Sequence, residues 1–123
     1  MCVFCDLAAR KDLIVWENEL VFAVRDRFPV SEGHTLLLPK RHVVTCFEAT
    51  DAEFAAIGQG LRALREDLDA RYHPDGYNVG INNGPAAGQT VPHLHVHLIP
   101  RYSGDVDRPR GGVRGVIPDR RDY

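Results

Sequence analysis

The sequence predicts an α+β domain: a mostly antiparallel five-stranded sheet with one long helix and a short N-terminal helix. Three observations carry this. Five short β-prone runs are spread along the 123 residues, with one capped helical pattern among them. The strand–helix–strand alternation that parallel sheets need is missing. The last run, His93-Leu94-His95-Val96-His97-Leu98-Ile99, alternates histidine with apolar residues at period two, as a strand with one polar and one apolar face does.

Cys2 to Ala9 reads as a short helical turn. Leu13–Glu17 and Leu20–Arg25 are β-prone runs separated by Asn18-Glu19, a hairpin pattern. Asp26 to Gly33 is a loop, and His34–Leu38 is a third strand closed by Pro39. Arg41 to Phe47 is short and irregular or helical. Thr50-Asp51-Ala52-Glu53 is a capping box, after which Phe54, Ile57, Leu61, Leu64 and Leu68 recur at spacings of three and four and form one apolar stripe. That helix ends near Tyr72, before His73-Pro74-Asp75-Gly76. Tyr77–Ile81 is the fourth strand and the histidine run the fifth.

A chain of this length can bury a core without disulfides. Its formal charge of −2 argues against general binding to nucleic acid or to membrane surfaces. No basic leader followed by an apolar run opens the chain, and no stretch approaches 18 apolar residues, so a cytoplasmic location is expected. Three cysteines, an odd number, suit reduced thiols or a metal better than a disulfide framework.

Distance limits what the three histidines can do together. On a regular strand neighbouring members lie roughly 6.8 Å apart and the outer pair roughly 13.6 Å. Zinc needs an imidazole nitrogen within about 2.0–2.1 Å, so the outer two cannot share one ion and separate roles follow. A neutral imidazole is a nucleophile and a proton carrier near pH 7. Just upstream, Asn82 to Thr90 is rich in glycine, amide and hydroxyl groups of the kind that surround an anion. A nucleophile beside an anion site points to phosphorus chemistry.

The run His93–Ile99, with Gly88-Gln89-Thr90-Val91 before it and Pro100-Arg101 after it, resembles the signature of the histidine triad (HIT) family of nucleotide hydrolases and transferases. The resemblance covers residues 1–105 as one histidine triad domain. Residues 106–123 read as an extended C-terminal tail packing on the same domain or on a dimer partner. It implies a HIT-like fold and a homodimer whose sheets join.

For the site, the resemblance implies that His95 attacks the α-phosphorus of a nucleotide to give a nucleotidyl-histidine that water hydrolyses. The attacking nitrogen must be bare while the other holds its proton in an orienting hydrogen bond. His97 and His34 would sit in the phosphate region, the former able to pass a proton to the leaving group. Gln89, Thr90 and Gly88 would meet the phosphate, with Asn82 in support. Asp26 would accept from the ribose hydroxyls. Val3, Phe4, Leu7 and Val24 would line the slot for the base or form ordinary core. A strand-end histidine facing water is the alternative for His34.

Cys2 and Cys5 have a spacing that chelates zinc. Bacterial members of the family begin similarly and complete a structural zinc site with the counterparts of His42 and His93. Cys46, four residues beyond His42, competes as a ligand, and plain thiols or redox chemistry are the other readings. Mg2+ would accompany a polyphosphate substrate.

The leading expectation is a hydrolase cleaving at the α-phosphate of dinucleoside polyphosphates or related adenine nucleotides. Histidine at position 97 argues against the uridylyltransferase branch, which resembles this run but carries glutamine there. A purine nucleoside phosphoramidase, a nucleotide-binding regulator without catalysis, and a metalloenzyme using the triad as ligands are the rivals.

Overall fold

The computed structural model describes residues 2–123. Five strands, β1 (Ile14–Glu17), β2 (Val21–Arg25), β3 (Thr35–Pro39), β4 (Gly76–Ile81) and β5 (Val96–Arg101), pair in the order β1-β2-β3-β5-β4, all antiparallel. The hairpin between β1 and β2 is closed by Asn18, whose Oδ1 accepts from the amides of Leu20 and Val21.

Each face of the sheet has its own cover. The long helix α2 (Asp51–Tyr72) packs Ile57, Leu64 and Leu68 onto Val21, Ala23, Leu37, Val96 and Leu98. Close approach depends on Gly60, where an added Cβ would stand 2.8 Å from the Leu37 side chain and 2.9 Å from Trp16. On the opposite face Phe22, Val24, Leu36 and Leu38 are covered by Phe4, Leu7 and Ala8 from the α1 (Val3–Leu7) region, together with Ile14.

Register then decides what the rest of that second face displays. Val24 pairs with Leu36, Leu36 with His97, and His97 with Gly80, so one row crosses four strands. The α1 helix is five residues long and its apolar contacts are with β2 and β3. His97 follows in the same row on β5.

The α2 helix starts as expected: the Thr50 hydroxyl accepts from Glu53 N at 3.1 Å, and the Glu53 carboxylate accepts from Thr50 N at 2.8 Å. It stops at His73, which takes the left-handed conformation before Pro74. The stripe differs from expectation at one position, because Phe54 is exposed while Glu53 beside it is buried. Glu53 holds the capping box and both oxygens also accept from Arg41, so the polar pair occupies the sheltered side of that turn.

The histidine run is not one regular strand. Ladder pairing begins only at Val96, and His93 to His95 precede it. Across from them Pro39 has no N–H to donate, its carbonyl accepts from the His93 ring, and the Leu94 amide donates to Val43 O at 2.7 Å.

Beyond Asp105 the chain is folded on itself rather than extended, with 3-10 turns at Gly112–Val116 and Pro118–Arg120. No helix among the described residues is long and apolar enough to cross a membrane.

Candidate active site

The three triad histidines are separated by their backbone partners. His93 donates from Nε2 to the Pro39 carbonyl at 2.9 Å, which leaves Nδ1 bare. His95 donates from Nδ1 to the His93 carbonyl, also at 2.9 Å, which leaves Nε2 bare. The amide of Val30 donates to His34 Nδ1 at 3.1 Å, so the neutral His34 ring carries its proton on Nε2 and donates it to His97 Nδ1 at 2.9 Å. His97 therefore carries its own proton on Nε2. One ring offers a nucleophilic lone pair and its neighbour, 5.1 Å away between centroids, offers an N–H donor.

His34 is held below the ordinary imidazole value by burial, against the opposing pull of Asp26. Burial lowers His97 too, with the nearby His95 and His34 rings adding to it. Both rings are neutral near pH 7, as the chain of tautomers requires.

His93 faces elsewhere. Its bare Nδ1 lies 3.5 Å from Cys2 Sγ and 3.4 Å from Cys5 Sγ, and Cys5 Sγ lies 3.2 Å from His42 Nδ1. The four donor atoms all fall within 4.8 Å of one another. Zinc–sulfur and zinc–nitrogen bonds set tetrahedrally imply sulfur-to-nitrogen edges of about 3.6 Å, so Cys2, Cys5, His42 and His93 would close on the ion with small shifts. Burial and the hydrogen bond from Cys2 push the Cys5 thiol up, so a second charge on the pair is disfavoured without a cation. The donor set fits zinc. Cys46 is outside it, buried in the core with its amide donating to Asn83 Oδ1.

The other expected residues fall into three groups. Asn82 lines a cavity of about 350 Å³ together with His34 and His97. Asp26 stands beside them: Oδ2 is 3.4 Å from His34 Nε2 and 4.0 Å from His97 Nδ1, while Oδ1 accepts from Phe28 N. Thr90 and Val3 line a second cavity of about 670 Å³ next to the cysteine–histidine cluster.

Gln89 and Gly88 are placed differently from expectation. The Gln89 side chain accepts from Gly84 N and donates to the carbonyls of Val44 and Val91, and the amides of Gly88 and Gln89 donate to Pro85 and Gly84 within the loop. These groups close the loop on itself. Among the described residues the Thr90 hydroxyl has no protein partner, which makes it the group of this set free to meet an anion.

Val24 is a core residue, Leu7 packs against it, and Phe4 is half-buried with its ring edge-on to His95 at 4.9 Å between centroids, so of the expected base slot Val3 and part of Phe4 are open. Asp26, His34 and His97 also present one donor atom each within reach of a common point. Two nitrogens to one oxygen, with the nitrogens bonded to each other, do not suit Mg2+, which demands oxygen ligands.

Sequence reasoning missed Asn78 and Gly80, which line the smaller cavity on the edge strand β4. Period two in Tyr77–Ile81 would have put Asn78, Gly80 and Asn82 on one face. A Cβ on Gly80 would meet nothing within 4 Å, so the floor opposite His97 is open.

The HIT domain profile matches residues 8–104. The chain is 41% identical over 122 residues to an uncharacterised HIT-like protein of Methanocaldococcus jannaschii, covering 97% of this chain and 94% of that one. It is 33% identical over 106 residues to adenylylsulfatase HINT3 of Arabidopsis thaliana, covering 85% of this chain and 54% of the relative. Among solved structures, a zinc-bound histidine triad family protein from Mycobacterium smegmatis superposes with a TM-score of 0.77 at 34% identity, covering 85% of this chain and 77% of the other.

Proposed function

This chain belongs to the HIT domain family of nucleotide-binding hydrolases and transferases, and from that membership we propose that it is a nucleotide hydrolase working by double displacement at an α-phosphate. The observation that carries the reading is the His95 ring, whose Nδ1–H is held by the His93 carbonyl and whose Nε2 is bare. In the first step His95 Nε2 forms a bond to the α-phosphorus while the bond to the leaving group breaks. The Nε2–H of the neutral His97 ring donates a hydrogen bond to the departing atom, which takes its proton from solvent, so that no imidazolate forms. The nucleotidylated ring is cationic, and the His93 carbonyl, already accepting from Nδ1–H, stabilises that charge. In the second step water bonds to phosphorus as the phosphorus–Nε2 bond breaks and passes its proton to solvent, which releases the nucleotide and regenerates neutral His95.

Asp26 is assigned to the ribose through the lone pairs it does not spend on Phe28, Asn82 and Thr90 to the phosphate, and Val3 with Phe4 to the base. Gln89 and Gly88 support the loop. Cys2, Cys5, His42 and His93 would hold zinc, which when bound supplies a structural cross-link between α1, the segment after β3 and the approach to β5.

The compact cavity at His97 and the adenylylsulfatase among the relatives favour a second reading within the same chemistry: adenylyl compounds with small leaving groups, nucleoside phosphoramidates among them. We place the protein in the cytoplasm as a homodimer. The unpaired edge of β4, with Val79 half exposed, is the surface through which two sheets would join.

Rapid quench into alkaline denaturant with α-labelled diadenosine tetraphosphate and, separately, adenosine 5′-phosphoramidate tests the mechanism. Label on the peptide carrying His95, lost in His95→Ala, is expected. Nucleotide affinity that survives His95→Ala with no labelled enzyme in the parent chain would make this a nucleotide-binding regulator instead.

A further inference from the structure

We propose that residues 106–123 wall the leaving-group side of the histidine site and that Val113 limits the size of leaving group that His97 can serve. The assignment of a leaving-group side rests on the proposed function, in which the His97 Nε2–H faces the leaving group.

Gly112 and Val113 line the same cavity of about 350 Å³ as His34, His97 and Asn82. They are brought there by a closed knot. Arg121 donates to the carbonyl of Arg108 at 2.9 Å, Arg114 donates to the carbonyl of Arg120 at 2.8 Å, and Arg108 pairs with Asp122. Gly111, at φ +91°, lies so close to the Arg121 carbonyl that a Cβ there would stand 2.6 Å from it. Arg110 and Arg114 both sit over the Tyr123 ring, 4.7 and 4.8 Å from its centroid.

The knot is fastened to the domain at its start. Arg101 on β5 holds Asp105 through two hydrogen bonds of 2.8 Å and donates to Asn78 Oδ1 at 2.6 Å. A Cβ on Gly112 would lie 3.4 Å from Asn78 Nδ2, so the turn rests directly on this residue. The wall is therefore a fixed surface, and the match to the HIT domain ends at residue 104, just before it.

The chemistry of the enclosed space follows from its two sides. One side offers the His97 imidazole and the Asn82 amide, and the other is apolar, formed by Val30, Ile99 and Val113. At about 350 Å³ it lies near the lower end of the roughly 300–1,000 Å³ typical of ligand pockets. An amine, a sulfate or a short phosphate beside the scissile bond fits there. A second nucleoside entering on this side would lie against Gly112 and Val113.

The test compares the full chain, a chain ending at Asp105, and full-length Val113→Trp. Substrates are adenosine 5′-phosphoramidate, its tryptamine derivative and diadenosine tetraphosphate. Truncation is expected to raise kcat/KM for the dinucleotide at least tenfold relative to the phosphoramidate. Val113→Trp is expected to lower kcat/KM for the tryptamine derivative about tenfold and leave the phosphoramidate within twofold. Independently of turnover, acylation of His97 by diethylpyrocarbonate, mapped by peptide mass spectrometry, is expected to quicken at least fivefold on truncation. Unchanged substrate ratios and unchanged His97 reactivity, with His95 nucleotidylated normally, overturn the role of the tail alone. Absence of any nucleotidyl-His95 in the full chain overturns the hydrolase reading and with it the leaving-group assignment.

Discussion

His34 decides which nitrogen of His97 carries the proton, and its replacement separates that task from mere packing. The side chain is 3% exposed, and its Nε2–H lies 2.9 Å from His97 Nδ1. With leucine in its place the nearest charged acceptor to His97 Nδ1 is Asp26 Oδ2, now 4.0 Å away. A carboxylate can only accept, so the proton moves to Nδ1 and Nε2 becomes bare toward the leaving group. The hydrogen-bond donor to the leaving group is then lost although His97 is still present.

Removing one donor aimed at developing charge costs about 10²–10³ in rate, or about 3–4 kcal/mol at 1.36 kcal/mol per factor of ten. His34→Leu should lose about 10²-fold or more on an adenosine phosphoramidate with an alkylamine leaving group. On adenylyl fluoride or a p-nitrophenyl ester, which need no proton to depart, the loss should stay within about fivefold. His34→Gln, whose amide can donate to Nδ1 as the native ring does, should recover at least tenfold of the first loss. The broken hydrogen bond costs about 1 kcal/mol of folding stability, read separately by urea denaturation. Equal slowing of good and poor leaving groups, or no advantage of Gln over Leu, would refute the tautomer chain.

Metal analysis of protein purified without chelator should find one zinc per chain, and Cys5→Ser should lose most of it with a fall in Tm of more than 5 °C, because binding energy at such a site is folding energy. Stoichiometric zinc in that variant would refute the ligand set. His34 and His97 have folded values lowered by burial, whereas both titrate near 6.5 in the unfolded chain. The unfolded state then binds the extra protons, so stability is full above about pH 6.5 and declines as pH falls toward the folded values. Urea midpoints should drop between pH 8 and pH 5, and less so in a His34→Gln/His97→Gln double variant. Arg41→Ala should lower the urea midpoint, because Glu53 is left buried and half-satisfied, though by less than loss of a fully buried pair would since Arg41 is 53% exposed. Leu64→Ala, at 1% exposure under α2, should cost about 2–5 kcal/mol by the same denaturation assay.

Some of this was legible in the letters. The capping box at Thr50 and the Pro74 stop mark α2 because both act through local backbone donors that any sequence must satisfy. Cys2 and Cys5 are legible as metal donors because thiols three residues apart on a helix turn converge wherever that turn is placed. Phe54 was not legible, since its outward placement follows from Glu53 being held by Arg41, a contact across twelve residues. The backbone contacts of Gln89 and of one Asp26 oxygen were not legible for another reason. An amide or a carboxylate reads the same whether it faces a ligand or a backbone N–H, and the distinction rests on Gly84, Val44 and Phe28, which no motif includes.

The triad itself shows where such reading stops. Period two presents three equivalent imidazoles, and nothing in the alternation distinguishes a metal ligand from a nucleophile or an acid. The distinction comes from three backbone groups: the Pro39 carbonyl, the His93 carbonyl and the Val30 amide, the last acting through His34. Carbonyls and amides are the same in every residue, so their placement belongs to the fold. Proline at position 39 contributes by ending the ladder, which frees a carbonyl at the point where β5 would otherwise have begun. It follows that His93 and His95 are coupled through one peptide unit. The residue that faces the cysteines with its ring orients the attacking ring with its carbonyl, so disorder at the cysteine cluster reaches the nucleophile without any side chain between them.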